Sequence, residues 1–298
     1  MKKIIAITIV GIITLSGISV IATPDDESEF WGVIVVALDE SQQPYIYDSL
    51  IQSKNWKPDH LKLLWKENAT RGNIFNFLDW LIENADNDDI VLFSVDCHGT
   101  YQKGEYGIWP WDGYENGMIT VAELDAKFDR INSKGLCLIF DCCLGGSFVD
   151  RSQVNIKNNH VDRFLSSRLF IPHEIVEGVE DENRVVIMGT MPEGLGNHWF
   201  DYGMNGEIKS EVSPSSVLSE GFIKKYDING DGITSAEEGF MYLKTNFRKW
   251  AILGFLLVPL QIYLYLTKGF IAKPFPTLYD SYKGELPIIL HDVKCHYN

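Results

Sequence analysis

The chain has 298 residues and a formal net charge of −15, with no basic stripe, so no nucleic-acid partner is expected. Its composition is that of an ordinary globular protein, without low-complexity runs or repeats, and the length is enough for one large α/β domain with appendages. The five cysteines form an odd set, four of them in or beside apolar runs, which fits a free working thiol better than a disulfide framework.

Residues 1–22 begin Met1-Lys2-Lys3, continue as an apolar stretch and end at Val20-Ile21-Ala22. This pattern predicts a secretory signal cleaved after Ala22, or else an uncleaved N-terminal anchor; export to the outer face is expected either way. Trp31–Leu38 then reads as a buried strand, 43–53 as a helix and His60–Trp65 as a short strand. Asn68-Ala69-Thr70 has the form of a glycosylation sequon, but Thr70 reads more simply as the N-cap of a helix to Asn84. Ile74, Phe77, Leu78 and Leu81 share one face of that helix.

Ile90–Val95 is a second apolar strand, followed at once by Asp96-Cys97-His98-Gly99-Thr100. A loop through Gly104 and Gly107 leads to Ile108-Trp109-Pro110-Trp111-Asp112 and Gly117-Met118-Ile119-Thr120. Thr120 caps a helix whose Leu124 and Phe128 turn inward. Next comes Leu136–Phe140, another apolar strand, ending in Asp141-Cys142-Cys143-Leu144-Gly145-Gly146. The two strand ends match in form, one carrying His98 and the other Cys143, 45 residues later. Strands alternating with helices indicate a mostly parallel sheet covered on both faces, and such sheets place their ligands at the carboxyl ends of the strands. A thiol and an imidazole meeting there can divide acyl transfer, the thiol attacking the carbonyl and the imidazole protonating the departing amine. The amides of Gly99 and Cys143 are the candidate oxyanion donors.

Residues 149–183 read as a long polar loop, in which Arg151, Lys157, Arg163 and Arg168 are expected sites of self-cleavage. Arg184–Met188 is a further buried strand, 201–214 a loop, 215–226 a helix and 236–247 another. Between those helices, Asp227, Asn229, Asp231, Ser235 and Glu238 occupy positions 1, 3, 5, 9 and 12 of a loop with Gly232 at 6, the donor pattern of a calcium EF-hand. The same residues also suit a simple Asp/Asn/Gly turn that caps a helix, and only one such loop is visible. Residues 250–266 are apolar apart from Gln261 and are broken by Pro259; they read as a segment contacting a membrane, as a core helix, or as a short span. Residues 274–290 read as a turn and a last strand.

His98-Gly99-Thr100, Pro110-Trp111-Asp112, Gly117-Met118-Ile119-Thr120 and Asp141-Cys142-Cys143, taken as a set, resemble the caspase-like (clan CD) cysteine peptidases, closest to the metacaspase type. Cys143, Gly146 and Ser147 are also similar to the legumain-like branch. The resemblance covers about 30–242, within a domain expected over 30–290. It implies a caspase fold, a Cys143/His98 dyad and an endopeptidase acting on polypeptides. It also implies cleavage after Arg or Lys, with Asp141 lining the pocket. Asp96 stands in the matching place before His98, and Asp112 is a further candidate; a negative site there would hold a basic side chain, although such Asp residues also tie down loop amides. Two departures stand out: Leu144-Gly145 replaces the usual His-Ser, and Cys97 replaces a common Gly. The alternative from another class is a non-catalytic, calcium-stabilised interaction module at the cell surface.

Overall fold

A computed structural model describes residues 28–38, 43–149, 178–190, 199–202, 208–255 and 276–291. The expected signal or anchor, the self-cleavage residues and most of the apolar segment beyond 255 lie outside these residues.

The main sheet draws on β1 (Phe30–Val36), β2 (Leu61–Trp65), β3 (Ile90–Asp96), β7 (Gly135–Asp141), β8 (Arg184–Met188) and β12 (Thr277–Asp280). Their order across the sheet is β12-β8-β7-β3-β1-β2. The five strands from β8 to β2 run parallel, and β12 closes the β8 edge antiparallel. β1, β3, β7 and β8 are buried along their whole length, as strands covered on both faces must be.

Side-chain alternation sorts these strands into two cores. Val33, Val35, Val91, Phe93, Val95, Leu138, Phe140 and Val186 face α2 (Arg71–Asn84) and α4 (Val121–Phe128), meeting Ile74, Leu78, Leu81, Leu124 and Phe128. Ile34, Val36, Leu92, Cys137, Ile139 and Ile187 face α1 (Tyr45–Leu50), α5 (Pro214–Ile223) and α6 (Ala236–Phe255). Each such side chain removed from water contributes about 1.5–3 kcal/mol. The helix starts are fixed as expected: the Thr70 hydroxyl accepts the Asn73 amide, and Thr120 and Glu123 cap α4 reciprocally.

Polar ties lock the amino-terminal edge of the sheet. Arg184 is buried, and its guanidinium donates to Asp125 at 3.0 Å, Asp129 at 2.7 Å and the Val179 carbonyl at 2.9 Å. Asp89 accepts from the Glu29 amide at 2.7 Å, the Trp31 indole at 3.0 Å and the Asp86 amide at 3.0 Å.

Four sequence expectations are corrected. The stretch after His98 is not a loop but a hairpin, β4 (His98–Gln102) with β5 (Glu105–Trp109), joined by β6 (Ile119–Thr120). Its two-residue turn, Lys103-Gly104, has φ of 55° and 92°, the doubly left-handed form that suits strand twist. Residues 201–214 contain a second hairpin, β9 (Trp199–Tyr202) with β10 (Ile208–Val212). Residues 274–290 form two strands rather than one: β12 joins the main sheet, while β13 (Pro287–Leu290) pairs with β11 (Ile233–Ser235) beside the EF-hand-like loop. The helix from Ala236 continues to Phe255, so the first residues of the apolar segment extend α6. Among the described residues no helix is long and apolar enough to cross a membrane.

Candidate active site

β3 and β7 run side by side with Asp96 opposite Asp141. The Cys97 amide donates to the Asp141 carbonyl at 3.2 Å, which carries the ladder one step past the strand ends. His98 and Cys143 each stand two residues beyond the paired aspartates, so the topology delivers them together at the carboxyl edge. Gly99 and Cys143 approach closely: a Cβ placed on Gly99 would lie 1.6 Å from the Cys143 carbonyl oxygen and 2.7 Å from its carbon. Only a residue without a side chain allows this approach. Cys143 is half-buried, and His98 is exposed with no hydrogen bond or ion pair to its ring among the described residues.

The chain then reverses. Leu144 adopts a left-handed conformation (φ 63°, ψ 4°) and enters a 3-10 turn over Gly145–Ser147. A bulky residue in that region costs on the order of 1–3 kcal/mol and persists only where its surroundings hold it. The turn is held from β8: the Gly146 amide donates to the Thr190 hydroxyl, which donates to the Cys142 carbonyl, each at 3.4 Å. Thr190 was not evident from the sequence reading; its position just past the end of β8, the same edge as Cys143, is the signal that marks it.

Asp96 and Asp141 are both 3% exposed, so they sit at the base of the edge rather than on its surface. Asp141 Oδ2 accepts the amide of Ser215, in the first turn of α5, at 2.7 Å. The Ser215 hydroxyl is buried and, among the described residues, has no hydrogen-bond partner. A Cβ on Gly189 would lie 2.9 Å from Asp141 Oδ1, so the absence of a side chain at 189 leaves that oxygen room. Asp112 has a different place. Its oxygens accept the Arg71 amide at 2.8 Å and the Asn116 side chain at 2.7 Å, tying α2 to the short helix α3 (Gly113–Asn116). These hydrogen bonds join Asp112 to the scaffold.

The 227–238 loop is preformed. Asp227 accepts the amides of Gly230 at 2.6 Å and Gly232 at 2.9 Å, Asn229 that of Asp231 at 2.9 Å, and Asp231 that of Ile233 at 2.9 Å. Glu238 is buried and accepts from the amides of Ile228, Asn229 and Ser235, while the Ser235 hydroxyl accepts the Glu238 amide. The oxygen donors suit Ca²⁺ in kind, and each of these contacts also suits a capped turn. Among the described residues, the one trio of ionisable ligands close enough for a single ion is Asp86, Asp88 and Asp89, at the opposite edge of the sheet.

A parallel sheet with helices on both faces and a Cys/His pair at its carboxyl edge defines the caspase-like α/β class. Residues 41–152 match the family model described as the metacaspase, peptidase C14 domain, which supports a caspase-like cysteine-peptidase type for that stretch. Metacaspase-2 of Trypanosoma brucei brucei is 31% identical over 94 residues, covering 28% of this chain and 27% of that protein. Inactive metacaspase-4 of the same organism is 35% identical over 91 residues, covering 27% and 26%. The chain thus spans about a quarter of the length of the curated relatives it matches. A crystal structure of a Geobacter sulfurreducens protein overlaps 73% of this chain and 89% of its own, at 11% identity and a TM-score of 0.45.

Proposed function

We propose that the chain is a cysteine endopeptidase in which Cys143 is the nucleophile and His98 the general acid and base. The observation that carries this reading is the paired register of β3 and β7 together with the closure of Gly99 onto Cys143. The Cys143 sulfur attacks the scissile carbonyl, forming a C–S bond and an oxyanion. His98 passes a proton to the amine as the C–N bond breaks, then takes one from the water that cleaves the thioester. The Gly99 and Cys143 amides are the proposed oxyanion donors, and loss of one such donor typically costs about 10²–10³ in rate.

Cleavage after Arg or Lys is part of the proposal. Asp141, Asp96 and the buried Ser215 hydroxyl, which has no partner among the described residues, would provide buried acceptors for a guanidinium or ammonium, and charge-assisted bonds of that kind orient a substrate strongly. We also propose that Ca²⁺ occupies the 227–238 loop through Asp227, Asn229, Asp231, Ser235 and Glu238. Glu238 must then exchange its amide partners for the ion, so binding would couple to the entry of α6.

The test is a fluorogenic peptide panel with Arg, Lys, Asn or Asp before the scissile bond, with and without Ca²⁺, on wild type and Cys143→Ala. The expected result is turnover after Arg or Lys, enhanced by Ca²⁺ and absent in the variant. Turnover after Asn or Asp would discard the acidic pocket. Silence across the panel with folded protein would discard the enzyme.

A further inference from the structure

A pair of thiols stands directly behind the proposed dyad, and the proposed reaction does not use it. Cys97 precedes His98, and Cys142 precedes Cys143. The ladder of β3 and β7 reaches this level, because the Cys97 amide bonds the Asp141 carbonyl. Neighbouring strands lie about 4.8 Å apart. That separation falls inside the roughly 4.4–6.8 Å between α-carbons that a disulfide spans.

The pleat fixes where the side chains go. Cys97 follows Val91, Phe93 and Val95, and Cys142 follows Leu136, Leu138 and Phe140; all of these enter the core against α2 and α4. The two thiols share that core, at 4% and 3% exposure, whereas Cys137 enters the other one. Cys97 Sγ donates to the His98 carbonyl at 3.3 Å. The neighbouring Cys97 thiol and burial hold the Cys142 thiol well above the ordinary range. Its thiolate is therefore scarce, and oxidation of the folded protein waits on local opening.

We propose that Cys97 and Cys142 are a redox modification site, a reversible disulfide that ties the end of β3 to the end of β7 and so sets the spacing of His98 and Cys143. With a low-molecular-weight disulfide as oxidant, one protein thiolate displaces a thiol to give a mixed disulfide. The second protein thiol then displaces the other. Two protons and two electrons leave the cysteines, one S–S bond forms in the protein, and two thiols are released. The sulfurs must close to about 2.05 Å. Each is one residue from a reacting group, and a displacement on the order of 1 Å at such groups costs about 10²-fold in rate. A bond between directly adjacent strands is strained, which makes it reducible, as a switch requires. The effect on turnover rests on the Cys143/His98 reading, whereas the disulfide itself does not.

The first arm of the test uses Cys143→Ala protein, which lacks the competing half-buried thiol. The protein is incubated with oxidised glutathione for hours to days, alkylated in denaturant, digested without reduction and weighed by mass spectrometry. The expected product is a peptide carrying Cys97 joined to one carrying Cys142, two hydrogens lighter than the pair, returned to free thiols by dithiothreitol and absent from Cys97→Ser. Recovery of both cysteines fully alkylated, or linked instead to Cys137 or Cys295, overturns the site. The second arm protects Cys143 of the wild type with a peptide aldehyde during oxidation, then removes the aldehyde and measures turnover. Turnover is expected to fall at least 10-fold and return on reduction, while Cys97→Ala treated alike does not change. A formed disulfide with unchanged turnover overturns the control of the dyad but leaves the disulfide standing. Absence of turnover before oxidation counts against the peptidase reading alone, and the mass result still decides the disulfide.

Discussion

Gly99→Ala puts one methyl group where the fold has no room for it. Its Cβ would sit 1.6 Å from the Cys143 carbonyl oxygen and 2.7 Å from the carbonyl carbon, both backbone atoms that no rotamer change can move. Restoring ordinary contact needs the two strand ends to part by roughly 1.5–2 Å, and a shift of about 1 Å at reacting groups already costs about 10²-fold. Overpacking of this kind destabilises by about 1–3 kcal/mol, or roughly 2–4 °C in melting midpoint per kcal/mol for a chain of this size. The expected result is a fall in kcat/KM of at least about 10², with a melting midpoint several degrees lower. Gly72→Ala is the control: nothing lies within 4 Å of its Cβ, and in helix α2 alanine is favoured by up to about 1 kcal/mol. It should melt at or slightly above the wild-type temperature with unchanged kcat/KM. The assays are amidolysis of the preferred peptide and thermal unfolding followed by circular dichroism. A Gly99→Ala protein with wild-type kcat/KM and midpoint would refute the close approach of the two strand ends.

Arg184→Leu removes the buried cation that joins Asp125 and Asp129, and is expected to cost about 3–5 kcal/mol in a denaturant titration. Thr120→Ala opens the capping box of α4 and should cost about 1 kcal/mol by the same measurement. Glu237 gives a pH signature. Burial first, then Asp280, pushes its carboxyl from 4.5 up to about 7, against the amides that favour its charge. A raised carboxyl pKa means the fold holds the proton more tightly than the unfolded chain does. Its contribution is therefore complete below about pH 4.5 and lost as pH rises through 7, a difference on the order of 3 kcal/mol. Wild type minus Glu237→Gln, compared between pH 5 and pH 8, should show that loss; a rise would contradict it.

The parallel strands were legible because burial on both faces leaves near-continuous apolar runs, as in Ile90–Val95, broken only by Ser94, and Leu136–Phe140. The two strand ends that carry His98 and Cys143 were legible as a pair because those runs end alike, and the structure puts the two endings in one register. The hairpins were not. His98–Trp109 lies over the edge of the sheet, with His98, Tyr101 and Gln102 exposed, so apolar alternation is weak, and its turn uses Lys103-Gly104 rather than Asn-Gly. The tie of Asp112 to Arg71 was not legible either, because local pattern does not name a partner 41 residues away. The split of 274–290 into β12 and β13 depends on partners far away in the chain, Arg184–Met188 and Ile233–Ser235. Local pattern carries no trace of such pairings.

The central claim is that Cys143, and not its neighbour Cys142, is the reactive thiol. The neighbouring Cys97 thiol and burial raise the Cys142 thiol, which enters the core, whereas Cys143 is half-buried at the edge beside Gly99. The most direct measurement is labelling with a peptide acyloxymethyl ketone ending in Arg, followed by peptide mapping. One label per chain on Cys143, reduced at least about 10²-fold in rate by His98→Ala, is the predicted result. A label on Cys142, or labelling that His98→Ala leaves unchanged, would contradict it.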